Sequence, residues 1–278
     1  MLKLLIIFIF FLNLQASSLT EPSGLKNPFI YKIYKSTVPI PAPTIVIYAL
    51  GTIPILQVPW DHFPSGVKDL LSQSDHFIAP FTKEGLNQLV GRIHREFIPL
   101  ISPELSITEE IIQELHEDTN RNLITLYNDS LDGEMINFAR NHSIESSSLY
   151  DEEDAIKSFA IRYQKYVDLG MNTLGGITDQ EIMRFLYPMD MMQAYIDGQE
   201  DLILQHIRDA GLSLEKSVSF LFLNKIISQF SFAAMMQKQN YKVFASIPIQ
   251  HLLGEEGIIS LLKENDYIVE KLFQRAQR

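Results

Sequence analysis

Val243-Phe244-Ala245-Ser246-Ile247-Pro248-Ile249-Gln250-His251-Leu252-Leu253-Gly254 is the stretch whose reading decides the fold. An apolar, β-branched run reads as a strand buried on both faces. It runs into a turn that presents a polar ligand, His251. Far upstream, Ile47-Tyr48-Ala49-Leu50-Gly51-Thr52-Ile53-Pro54 repeats the pattern, with a buried strand ending at a glycine. Gly51 allows close backbone approach or positive φ. Two such strands lying side by side and parallel would bring their turns together. A polar side chain at such a turn could take part in a shared site, and of the two tags the second supplies one, His251.

Outward from these tags, strands gather at both ends of the chain. Phe29 to Tyr34 alternates and is aromatic, which predicts a strand. Val38-Pro39-Ile40-Pro41-Ala42-Pro43 is a rigid turn before the Thr44–Leu50 strand. Ser65 to Ser72 reads as a short helix after a Trp60–Pro64 loop, and His76 to Phe81 as a further strand. Tyr241–Ile249 and Tyr267–Leu272 read as strands around a Gly257–Glu264 helix. Between them, about 82–238 is almost wholly helical by pattern. Ser106-x-x-Glu109 and Thr178-x-x-Glu181 are capping boxes. Asp154–Leu169 and Glu181–Ile196 carry apolar residues at three- and four-residue spacing, the latter kinked at Pro188. Leu214 to Gln237 reads as a long core helix. The fold class is therefore α/β: a single sheet built from N- and C-terminal strands, with a large helical insertion.

Of the 278 residues, 46% are hydrophobic, enough for a substantial core. The formal net charge of −11 offers no basic face to release counterions, so nucleic acid is not an expected partner. The absence of cysteine excludes thiolate nucleophiles, disulfides and Cys-type metal sites. Met1-Leu2-Lys3, the apolar run to Leu14 and Ala16-Ser17-Ser18 read as a secretory signal over residues 1–18, cut near Ser18 or kept as an anchor. Residues 19–278 then form one domain. The expected location is outside the cytoplasm, periplasmic or secreted, with no membrane span in the mature chain.

Common catalytic signatures are missing: there is no G-x-S-x-G and no P-loop. His116-Glu117 is followed at position 120 by Asn, so H-E-x-x-H fails. Asp151-Glu152-Glu153-Asp154 reads as a charged first turn of a helix rather than a calcium loop. The many aromatic side chains mostly sit at core spacing.

The ordered set of features from about 28 to 273 resembles the TraB/GumN/TIKI family. It includes Phe29–Ile33, Leu50-Gly51-Thr52-Ile53, Phe63–Leu71, Asp75–Ala79, Ala194–Leu202 and Val243 to Val269. That resemblance implies a metal-dependent peptidase whose ligands are the His of each tag and an intervening glutamate. Carried over position by position, the first His falls on Pro54, the glutamate on Pro80 and the second His on His251. The glycine opening the second tag falls on Pro248. An arginine before asparagine in the last long helix falls on Leu223, with Asn224 retained. Proline has no side-chain donor, so His251 is the one implied metal ligand left, and a catalytic ion usually needs three protein ligands. Asp61, His62, His76 and Glu84 lie near the damaged positions in sequence. The expectation is an exported binding or scaffold protein, with a peptide, polysaccharide or envelope protein as partner and no cofactor. The candidate site positions are Gly51, Pro54, Pro80, Asn224 and His251. The alternative is a hydrolase with relocated ligands around His251, holding Mn, Co or Zn.

Overall fold

The computed structural model describes residues 25, 27–35, 45–53, 56, 60–81, 130–150, 189–209, 216–236, 238 and 240–273. The signal segment, Pro54, Glu84, the His116-Glu117 pair, both capping boxes, the acidic run, the Asp154–Leu169 helix and Pro188 lie outside them.

The described strands are β1 (Ile30–Lys35), β2 (Val46–Thr52), β3 (His76–Ala79), β4 (Glu145–Ser148), β5 (Lys242–Pro248) and β6 (Tyr267–Lys271). The described helices are α1 (Ser65–Ser72), α2 (Leu131–Asn141), α3 (Met189–Asp197), α4 (Glu200–Asp209), α5 (Lys216–Met235), α6 (Ile249–Leu252) and α7 (Ile258–Glu264). Trp60–His62, read from sequence as loop, forms a 3-10 turn. The strands make one mixed sheet in the order β4-β3-β5-β2-β1-β6. The fold is α/β, as the sequence pattern implies.

The tag strands are parallel neighbours, in a register that sets Gly51 opposite Ile247 and Thr52 opposite Pro248. β3 runs parallel to β5 on its other side, and β4 parallel to β3. β1 returns antiparallel beside β2, and β6 closes that edge antiparallel to β1. Burial follows position. In β5 every residue after Lys242 is buried, because helices and neighbouring strands cover both faces. In β6 buried and exposed residues alternate at the sheet edge.

β4 is the correction to the sequence reading. It lies inside the 82–238 stretch, so the sheet is not built from the chain termini alone. Glu-Ser-Ser-Ser carries no apolar signal. It is an edge strand, and polar residues there discourage unwanted pairing. α2 leads into it, with Ser130 as N-cap accepting from the Gly133 N–H at 3.3 Å.

The core is one continuous cluster. Phe29, Phe77, Phe222, Phe244 and Tyr195 are its largest fully buried side chains. Each such aromatic contributes on the order of 1.5–3 kcal/mol through apolar burial. Among the described residues no helix is long and apolar enough to cross a membrane.

Candidate functional site

The carboxyl ends of β2, β5, β3 and β4 emerge on one side of the sheet, the side where open α/β sheets usually bind ligands. Two clusters occupy it.

The first is polar and enclosed. Thr52 ends β2, and Ser246 stands on β5. Asp132 comes from the first turn of α2, and all three side chains are fully buried. Ser246 Oγ donates to Asp132 Oδ1, and Thr52 Oγ1 donates to Oδ2 at 3.4 Å. The two hydroxyls lie 3.3 Å apart. The carboxylate thus ties the helix to both tag strands. Burial pushes its pKa from an ordinary 3.8 up to about 6, outweighing the two hydroxyl donors, which pull it down. The Tyr195 hydroxyl donates to the Gly51 carbonyl at 2.6 Å. Burial raises that phenol's pKa, and the Asp132 charge adds to the effect.

Gly51 itself is a packing requirement. A Cβ there would run into Ile249 Cδ1 and come within 3.0 Å of Leu252 Cδ2. Both neighbours belong to α6, which carries His251, so the glycine lets the turn after β5 close onto the end of β2.

The second cluster is aromatic. His251 is 1% exposed, on the single turn of α6 that Pro248 opens. Its Nε2 lies 3.3 Å from the Tyr150 hydroxyl. The Phe222 ring of α5 meets the imidazole edge-on at 5.1 Å and Tyr150 at 4.6 Å, and Phe81 stacks on Tyr150 at 4.7 Å. Pro80 is buried beside this group, following β3. Its carbonyl accepts from Ser148 Oγ and from the Tyr150 N–H, each at 3.1 Å.

The described groups around His251 are mostly aromatic. Pro80 offers only a carbonyl, already holding two donors. The Nε2 of His251 faces the Tyr150 phenol, with the Phe222 ring edge-on to the imidazole. Among the described residues no three His, Asp or Glu side chains come together as a ligand set. Asp61 and His62 are exposed on the 3-10 turn, and His76 begins β3 at the end opposite Pro80.

Gly51 and His251 are therefore brought together, as the tag pattern implies, and Pro80 lies by the same strand ends. Asn224 is not part of the group. It is exposed on α5, while Leu223 is buried and Phe222 reaches His251. Sequence reasoning missed Asp132, Ser246, Tyr195 and Tyr150. Ser130 followed by Asp132 and Glu134 is a helix-start signal that could have located α2, though not the burial of its aspartate. No family model matches the chain, and neither does any curated protein or solved structure.

Proposed function

We propose that this chain is an exported, TraB/GumN-like envelope protein that has lost metal-dependent hydrolysis at its strand ends and uses that region for binding or as a scaffold. The observation that carries this reading is the state of His251. The one remaining ligand of the implied set is paired with Tyr150 and walled by Phe222. A histidine committed in this way contributes to packing rather than to an open coordination position. The proposed partner is a peptide, polysaccharide or envelope protein.

Metal analysis of the purified chain tests the reading. The expected result is substoichiometric Mn, Co and Zn, and a melting temperature that ignores added divalent ions. Stoichiometric metal that disappears in His251→Ala would overturn it in favour of a metal-dependent hydrolase with relocated ligands. Export is tested by fractionating cells that express the full chain. A wholly cytoplasmic, uncleaved product would refute it.

A further inference from the structure

At the opposite end of the β3–β4 pair, a serine, a histidine and a glutamate stand in line. The parallel register places His76 opposite Glu145 and Ile78 opposite Ser147. Side chains two residues apart on a strand share a face. His76, Glu145 and Ser147 therefore project from the same face of the sheet. His76 Nε2 lies 2.8 Å from Ser147 Oγ, and its Nδ1 lies 4.0 Å from Glu145 Oε2. The His76 side chain is 9% exposed, whereas Glu145 is open to solvent and Ser147 is half-buried at the edge of the sheet.

We propose that Ser147, His76 and Glu145 form a metal-independent acyl-transfer centre acting on small carboxylic esters. This goes beyond the binding role at the strand ends and does not depend on what happens at His251.

The chemistry follows from the order of the groups. Glu145 favours the tautomer with the proton on Nδ1, leaving Nε2 to accept from the Ser147 hydroxyl. Glu145 is a positioning residue, since 4.0 Å is ion-pair range rather than a hydrogen bond. Burial holds the pKa of His76 below its usual value and Lys238 pushes the same way, while Glu145 partly opposes them. The ring is therefore neutral at pH 7 and competent as a base.

As Ser147 Oγ bonds to the ester carbonyl carbon, its proton passes to Nε2. The tetrahedral adduct then collapses, the C–O bond to the leaving group breaks, and the alkoxide takes the proton from Nε2. Water repeats the sequence on the acyl-serine and frees the carboxylic acid. A donor for the oxyanion is built into the edge. The Leu149 N–H bonds inward to the Ala79 carbonyl at 2.6 Å, so strand alternation turns the Ser148 N–H outward. That N–H belongs to the residue after the nucleophile, a common oxyanion-hole position. Esters suit the site better than amides. An alkoxide leaves with modest acid assistance, and the exposed glutamate gives the imidazole only modest support.

The test is intact-mass and peptide mapping of the full chain after treatment with a fluorophosphonate, which bonds phosphorus to a nucleophilic serine and releases fluoride. The expected result is a single adduct on Ser147, absent from Ser147→Ala, and slowed at least about a hundredfold in His76→Gln. In the wild-type chain the labelling rate should rise with pH, with a midpoint below the usual histidine value. Glu145 and Lys238 are the charged groups that face the ring among the described residues. Glu145→Gln should move the midpoint to lower pH, a shift that a merely structural contact would not produce. No adduct at Ser147, or labelling that is flat from pH 5 to 8 in the wild-type chain, overturns the proposal. The wild-type profile decides the matter even where His76→Gln fails to fold.

Discussion

Asp132 should make this protein more stable in mild acid than at neutral pH, against the usual behaviour of paired carboxylates. The perturbation is Asp132→Asn, which keeps the shape and an acceptor for Ser246 and Thr52 but removes the charge. The folded-state pKa of about 6 lies above an unfolded value of 3.8, so the folded chain holds the proton more tightly. Stability is then fully present below the unfolded value and is lost as pH rises through the folded one. A gap of about 2 pH units corresponds to about 3 kcal/mol, of which about 2 kcal/mol is lost between pH 4.5 and 8. No discount for solvent screening applies, because the side chain is fully buried. The assay is urea denaturation of both proteins at pH 4.5 and 8, followed by far-UV circular dichroism, with matching m-values as the check on two-state behaviour. Other carboxylates cancel in the difference between wild type and variant. That difference should shift in favour of the variant by about 2 kcal/mol between the two pH values. A difference that stays constant within about half a kcal/mol, or moves the other way, would refute the burial argument. The hydroxyl donors and the helix N-terminus would then be the stronger influence on the carboxylate.

Other perturbations probe the neighbouring contacts. Gly51→Ala forces Ile249 and Leu252 of α6 apart and should cost about 1–3 kcal/mol, read as a lowered melting temperature. Tyr195→Phe removes the bond to the Gly51 carbonyl and should cost about 1 kcal/mol in urea denaturation. Phe222→Ala opens a cavity beside Tyr150 and His251 and should cost about 3–5 kcal/mol, whereas Asn224→Ala, on the exposed side of the same helix, should stay within about half a kcal/mol. Equal effects from Phe222→Ala and Asn224→Ala in a chemical melt would contradict the orientation of α5.

The centre of the sheet was legible because its strands are buried on both faces. Val46–Thr52 and Lys242–Pro248 are continuous apolar runs with glycine and proline at their ends, and their parallel pairing follows from the intervening chain. Ser65–Ser72 was readable from Val67 and Leu71, one helical turn apart on the buried side. β4 was not, because Glu145–Ser148 is half-solvated at the edge and takes its strand conformation from pairing with β3 rather than from its own composition. The strand-end site was half legible. Gly51 and His251 announce themselves by pattern. Asp132 owes its role to depth, and Tyr150 to its position after an edge strand that the sequence hides. The Ser147–His76 pair is likewise a product of register, since 71 residues separate its members. No local motif spans that distance.

The place of β5 at the heart of the sheet has a consequence for how the chain matures. β2 and β3 precede β5 in the chain, yet neither bonds to the other; each waits for a strand that follows the whole intervening segment. Until residues 242–248 arrive, both present an unpaired inner edge, and contacts such as Thr52 with Pro248 cannot form. Long-range pairing of this kind is slow to close. A nascent chain stopped before β5 therefore cannot make the central pairings of the sheet, which form only once residues 242–248 are delivered. The order of synthesis therefore makes closure of the centre of the sheet a late event in folding.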